Sequence, residues 1–226
     1  MNPQTWNTKL QHLRSIILLP EYTEESKQLI LELHSEVHVS AVSGSVHETM
    51  EDLIWQEFNE QLFRTATDAK GRTVLYGIWH SARIEDITLN MLVAGKAQLF
   101  ETENWQSKIN SPIKHTGNSL NKDEISAFSQ TINIEALKAY KIAVGKNTRQ
   151  IINQLKPGEL NEKVMRQNLP LIIEQQAVDN VDSANWLIEF WGRKSKAGII
   201  LMPALRHNLT HINESLRNIR KNKNRM

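Results

Sequence analysis

Apolar residues recur at intervals of three and four along most of this chain of 226 residues. Near the N-terminus, this spacing is shown by Trp6, Leu10, Leu13 and Ile17. Side chains at such intervals line one face of an α-helix. No run with the alternation typical of a β-strand is longer than a few residues. The sequence therefore predicts an all-α protein.

Residues that favour helix ends divide the chain into predicted helices. An accessory N-terminal helix is expected over residues 2–19, because Asn2 can cap it and Pro20 ends it. Further helix starts are predicted at Thr23, Ser45, Thr73, Lys122 and Ile134. The run from Thr73 to Phe100 carries the widest apolar surface, and we expect it to be the central helix.

Two segments lack this pattern. Residues 101–121 are rich in Ser, Pro, Gly and Asn, and loops of this length are uncommon unless they are functional, so we expect this loop to cover a site. Residues 217–226 form a basic tail without acidic residues, which we interpret as a solvated helix end. The tail has no aromatic residue to stack on bases, which argues against nucleic-acid binding.

The composition excludes several classes of protein. With 27 basic and 25 acidic residues the net charge is +2, which gives no strong field for nucleic acid or a membrane surface. Cysteine is absent, so disulfides, cysteine catalysis and cysteine-ligated zinc are excluded. The sequence shows no leader-like N-terminus and no apolar run long enough for a membrane span. We expect a single domain over residues 1–226, soluble and cytoplasmic.

His207 and His211 are four residues apart in the last apolar run, Gly198 to Ile219. On a helix their side chains would share one face, with Cβ atoms about 5 to 6 Å apart, and could bind one small cation together. A reactive metal site needs about three protein ligands. The best further candidate is His80, on the predicted central helix.

A second histidine pair, His34 and His38, has the same spacing on another predicted helix. Spacing alone does not choose between the two pairs, and hydrogen-bonded interior residues would explain His34 and His38 without a metal. His47 falls in a predicted first helical turn, where we expect it to be exposed.

Two acidic residues follow His80 on the predicted central helix. Glu85 and Asp86 lie too far around the helix to share a cation with His80. We expect them to pair instead with arginines such as Arg83 or Arg206.

Two runs carry a resemblance to a known family. The run Ile78-Trp-His-Ser-Ala-Arg-Ile-Glu-Asp86 and the later run Met202-Pro-Ala-Leu-Arg-His-Asn-Leu-Thr-His211 resemble the DinB-like superfamily, and the whole chain resembles its uncharacterised Firmicutes members. The resemblance implies a four-helix bundle with long crossover connections and accessory helices. It also implies a divalent cation bound by His80, His207 and His211, and it places His34 and His38 on a helix without an obligatory ligand.

The same resemblance implies a metal-dependent enzyme acting on a small molecule. The family includes transferases that activate a low-molecular-weight thiol, such as bacillithiol or mycothiol, and we place thiol transfer ahead of metal-dependent hydrolysis. Zinc or nickel is the expected cation, since nitrogen ligands suit both. The alternative is a non-enzymatic metal-binding or stress-associated protein with a structural cation. A homodimer is expected, because bundles of this kind pair through exposed helix faces.

Side chains beyond the three histidines receive weaker assignments. Glu214, one turn after His211, could orient that histidine or act as a base, and a solvated carboxylate is the competing interpretation. Trp105 in the long loop is the candidate to line a pocket, whereas Trp79 and Trp186 are expected in the core.

Overall fold

A computed structural model describes residues 1–223, and these residues contain helices and irregular segments without a β-strand. The predicted all-α fold is confirmed. The longer α-helices are Pro3–Ile16, Thr23–Glu36, Val74–Ile87, Lys122–Thr131, Ile134–Gln154, Asp182–Gly192 and Asn208–Lys223. The shorter ones are Ser40–Ser43, Asp52–Gln56, Glu60–Thr65, Leu99–Thr102, Trp105–Ile109, Leu169–Glu174 and Lys196–Ile199. None of the described helices combines the length and apolar composition that a membrane span needs.

Four of these helices form the bundle, and we name them by their place in it. They are the second helix (Thr23–Glu36), the central helix (Val74–Ile87), the long helix (Ile134–Gln154) and the C-terminal helix (Asn208–Lys223). The central helix contacts both the long and the C-terminal helix, and every one of its residues is buried. Long connections over residues 37–73, 95–133 and 155–195 join the four. The N-terminal helix packs on the second helix, as expected of an accessory element.

Capping side chains explain where several helices begin. Asn2, Thr73 and Asn133 each accept a backbone N–H from the first turn that follows, at 2.8, 3.0 and 3.0 Å. The predicted helix start at Ser45 is wrong, because residues 45–48 are irregular and the helix begins at Asp52.

Two π-helical segments continue the core helices. Thr88–Ala94 extends the central helix, which therefore ends before the predicted Phe100, at a glycine with a φ of 67°. Ile200–His207 precedes the C-terminal helix and contains Pro203, which has no N–H to donate. The side-chain amide of Asn208 donates to the backbone carbonyl oxygens of residues 203 and 204, at 3.3 and 3.1 Å. Segments of this kind are frequent at functional sites.

The predicted loop after the central helix is shorter than expected, because it contains the helix Trp105–Ile109. Its remaining part lies against the central helix, where the hydroxyl of Tyr76 donates to the carbonyl oxygen of Gly117 at 3.0 Å. At the other end of the chain, the predicted basic tail is helical over residues 217–223, and residues 224–226 lie outside the described part.

Candidate metal centre

Three bundle positions bring His80, His207 and His211 together. His80 lies on the central helix, His207 ends the π-helical segment and His211 lies in the first turn of the C-terminal helix. The His80 ring centre is 5.0 Å from each of the other two, which are 4.6 Å apart. Each histidine offers a ligand nitrogen within 4.8 Å of the others. The structure therefore groups the residues that the sequence proposed as ligands.

Polar contacts at the outer nitrogens hold two of these rings. Nδ1 of His80 donates to the carbonyl oxygen of Thr116 at 2.7 Å. Nδ1 of His211 lies 3.0 Å from Oε2 of Glu214. A neutral imidazole with its proton on Nδ1 has a free lone pair on Nε2. Metal-binding histidines commonly donate their other N–H to a carbonyl or carboxylate in this way. The two Nε2 atoms are thus available to a cation.

The protonation of the rings favours metal binding as well. Burial lowers the pKa of His80 to about 4. Burial also lowers the pKa values of His207 and His211 well below the usual range, and the neighbouring histidines add to this effect. Near neutral pH all three imidazoles are therefore uncharged. Their Nε2 atoms form a donor set that fits zinc, nickel and related divalent cations.

Glu214 is not the solvated carboxylate of the competing interpretation. One of its oxygens lies 3.0 Å from Nδ1 of His211, and the other accepts from Arg72 at 2.7 Å. Arg72 is held in turn by Asp68 at 2.6 Å. Both oxygens of Glu214 therefore have partners, and its role as an orienting group or a base stays a prediction.

A cavity of about 600 Å³ opens directly onto the three histidines. Its lining includes residues of the helix Asp182–Gly192 and Tyr76 on the central helix. Two tryptophan predictions are corrected here. Trp186 lines the cavity and is 53% exposed instead of lying in the core. Trp105 is buried, with its ring centre 5.4 Å from that of Tyr140, and it does not line the cavity. Trp79 is buried, as predicted.

The second histidine pair forms a separate cluster with Glu85. Nε2 of His34 and Nε2 of His38 lie 2.9 and 3.0 Å from the two oxygens of this carboxylate. All three residues are fully buried, and their ligand atoms are close enough to hold a metal ion as well. The expected pairing of Glu85 with an arginine is wrong, although Asp86 does contact Arg83, at 3.4 Å.

Hydrogen bonds join this buried cluster, although within residues 1–223 two of its ring nitrogens have no partner. Glu85 accepts a further hydrogen bond from Asn208 at 2.7 Å, and its pKa is held well below the usual range despite burial, since His38 and His34 favour the charged form. The pKa of His38 is lowered to about 4, chiefly by burial. Both rings are joined to Glu85 through Nε2, and their Nδ1 atoms are buried without a hydrogen-bond partner among the described residues.

A buried lysine that the sequence interpretation missed ties the two clusters together. Lys141 on the long helix donates to Ser81 and to Asn208, at 2.9 Å each. These two residues directly follow His80 and His207 in the chain. Glu51 lies 3.8 Å from the ammonium group, and burial raises the pKa of its carboxyl to about 7. Lys141 thereby links the backbone segments that carry two of the candidate ligands.

The remaining histidine prediction is confirmed, because His47 is exposed.

Comparisons with known proteins give information about the fold. No protein-family model matches the chain, and no curated protein matches it. A solved structure of a conserved protein from Enterococcus faecalis is similar, with a TM-score of 0.57 and 15% identity over 85% of this chain and 94% of that one. This likeness supports the all-α architecture.

Proposed function

We propose that this protein is a metal-dependent enzyme of the DinB-like type that acts on a small molecule. The observation that carries the proposal is that His80, His207 and His211 together line a cavity of about 600 Å³. Three neutral ligands leave the charge of a divalent cation uncompensated, and the open side gives a substrate access to it. A bound divalent cation lowers the pKa of water or a thiol and polarises a carbonyl group.

The side chains around the site hold and shield it. Thr116 fixes the ring of His80 through a hydrogen bond, and Glu214 contacts the ring of His211 at 3.0 Å, so these ligand nitrogens would be arranged before a cation arrives. Among the described residues, no Asp or Glu side chain lines the cavity. Proton transfer by a cavity carboxylate is therefore not part of the proposal. The absence of cysteine means that any reactive thiol must come from a cosubstrate.

Transfer of a low-molecular-weight thiol to an electrophile is the reaction we place first, and metal-dependent hydrolysis second. Zinc or nickel is the cation proposed for either. A purely structural cation is the alternative function, and it is disfavoured because a structural site is normally closed by a fourth protein ligand. The homodimer expected from the sequence stays a prediction.

Elemental analysis of protein purified without an affinity tag tests this proposal. The parent should contain about one equivalent of zinc or nickel per chain, and the variant His207→Ala, His211→Ala should contain almost none. His47→Ala is the matched control, because this histidine is exposed and lies outside both clusters. A parent that cannot be loaded with zinc or nickel, or a double variant that binds as much metal as the control, would refute the metal site.

A further inference from the structure

The charges around the cavity favour an anionic ligand. Two basic side chains, Lys70 and Arg72, line the cavity, and no acidic side chain among residues 1–223 does. The three histidines add no negative charge, because they are neutral ligands. An anion that enters therefore meets no group of like charge, and a cation bound by the histidines would attract it further.

Of the two basic residues, Lys70 is the one that is free to bind an anion. Arg72 is already paired with Asp68 and Glu214, at 2.6 and 2.7 Å. Lys70 is exposed, and within residues 1–223 no carboxylate lies within 4.0 Å of its ammonium group. A single unbalanced lysine suits one negative charge rather than a polyphosphate, which would need several cationic partners.

Another part of the cavity lining is aromatic. The helix Asp182–Gly192 contributes Trp186, Phe190 and Trp191 to the cavity, and the rings of the first two are 6.2 Å apart. Trp186 is a large apolar side chain that is 53% exposed, which leaves much of its ring available for contact. Aromatic ligands gain from stacked and edge-to-face contacts with such rings, beyond the area they bury.

We propose that this cavity binds a small aromatic molecule that carries one anionic group, such as a carboxylate. The aromatic part lies against the wall formed by Trp186, Phe190 and Trp191, and the anionic group is attracted by Lys70 and by the cation that the histidines hold. A volume of about 600 Å³ lies within the range of small-molecule sites. The attraction by the cation rests on the proposed metal site, whereas the aromatic wall and Lys70 do not depend on it.

Titration calorimetry with two matched probes tests this inference on the zinc-loaded protein. The probes are 2-naphthoate and the neutral 2-naphthalenemethanol, which have the same ring system and differ in charge. We expect naphthoate to bind at least about tenfold more tightly, because a charged group adds an interaction that the alcohol lacks. Equal affinities would overturn the requirement for an anion, and failure of both probes to bind would overturn the substrate class as a whole.

Single variants assign the two parts of the site. Lys70→Met should weaken naphthoate binding by about threefold to fivefold without affecting the alcohol, as expected for an exposed ion pair. Trp186→Ala should weaken both probes about equally, by roughly fivefold or more. Lys146→Met is the matched control, because this exposed lysine on the long helix lies outside the cavity. A Lys70→Met effect no larger than that of the control would overturn the role of Lys70.

The variant His207→Ala, His211→Ala separates this inference from the proposed function. Loss of metal together with weaker naphthoate binding supports the metal site and the role of the cation in anion binding. Loss of metal with unchanged naphthoate affinity would overturn the contribution of the cation to anion binding, but the proposal that the histidines bind a metal would stand. If the parent itself takes up no metal, the proposed function fails, and the Lys70 and Trp186 variants still decide on the aromatic anion.

Discussion

His34 and His38 are four residues apart on one helix, as His207 and His211 are on another, yet the two pairs face different groups. The first pair faces the oxygens of Glu85 at 2.9 and 3.0 Å, whereas Nε2 of His207 faces Nε2 of His211 at 3.2 Å. A nitrogen that carries a proton and a carboxylate oxygen attract each other, but two nitrogen lone pairs do not. The two Nε2 atoms of the second pair can lie this close when one donates an N–H···N hydrogen bond to the other, or when both bind the proposed cation.

The two clusters also differ in whether a small molecule can reach them. The carboxylate cluster of His34, His38 and Glu85 is fully buried, and the histidine cluster of His80, His207 and His211 opens onto the cavity. The comparison teaches that the same HxxxH spacing occurs in a candidate metal site and in a buried carboxylate cluster. The spacing brings two histidines together, and the third residue of each cluster accounts for the difference between them.

The largest effect is expected from Glu85→Ala. This change leaves two buried histidines without their acceptor and removes one of three acceptors of the Asn208 side-chain amide, and we expect the free energy of unfolding to fall by about 3 to 5 kcal/mol. Urea denaturation measures it, with Glu135→Ala at an exposed site as the control. The folded variant should keep its equivalent of metal. Loss of metal from a folded Glu85→Ala protein would show that the comparison is wrong.

Two glycines beside the clusters provide a matched pair. A Cβ at Gly145 would lie 2.8 Å from Nδ1 of His38, whereas a Cβ at Gly77 would meet Nδ1 of His211 only at an ordinary 3.7 Å. We expect Gly145→Ala to be less stable than Gly77→Ala by about 2 to 3 kcal/mol, because overpacking costs stability and alanine otherwise favours a helix. Thermal or urea unfolding of the two variants measures the difference. Equal stabilities would mean that the buried cluster is not tightly packed.

Acid should weaken the carboxylate cluster through His38. Its pKa is lowered by burial to about 4 from 6.5, so the unfolded chain binds more protons between these values and stability falls as the pH falls through this window. At pH 5 the free energy of unfolding is lower by about 2 kcal/mol than at a pH above both pKa values. Glu85, His34, Glu51 and Lys141 surround the ring.

His38→Gln isolates this contribution, because the neighbouring groups stay in place. The raised pKa of Glu51, about 7, acts in the opposite direction, since the folded state then binds the extra proton, and it is present in both proteins. The loss of unfolding free energy between pH 7 and pH 5 should be about 2 kcal/mol smaller in His38→Gln than in the parent. The same loss in both proteins would rule out His38 as the titrating group.

The smallest effect is expected at the histidine cluster, from Glu214→Gln. An amide orients His211 less strongly than a carboxylate, and such changes weaken metal binding by about tenfold. Competition with a zinc chelator measures the affinity, with Glu135→Gln as the control. Unchanged affinity would assign Glu214 to the ion pair with Arg72 alone.

The all-α fold could be anticipated because it depends on the helical spacing of apolar residues. Spacing also pairs His207 with His211, but the choice of this pair over His34 and His38 rests on the resemblance to a known family. The π-helical segment that ends at His207 could not be anticipated from spacing. The partner of Glu85 could not be anticipated in this way. The direction in which Glu85 points from the central helix follows from its position in that helix. Its contact with His34 and His38 depends instead on how the second helix packs against the bundle.

Lys141 and Trp186 illustrate two other limits. Lys141 was missed, although it shares a helical face with the apolar positions Leu137 and Val144, and a lysine in such a row is the available signal of a buried cation. Trp186 was placed in the core because cavity walls and cores use the same apolar residues. Only the position of the helix Asp182–Gly192 shows that this face borders a cavity.

The polar contacts at His80 and His211 have a consequence for the order of folding and metal uptake. Because Thr116 and Glu214 contact these rings and the core is packed around them, the proposed cation would not be needed for the chain to fold. It would enter the folded protein through the cavity and could leave by the same route. The identity of the metal would then be set by exchange with the cellular supply, and not at the moment when the chain folds.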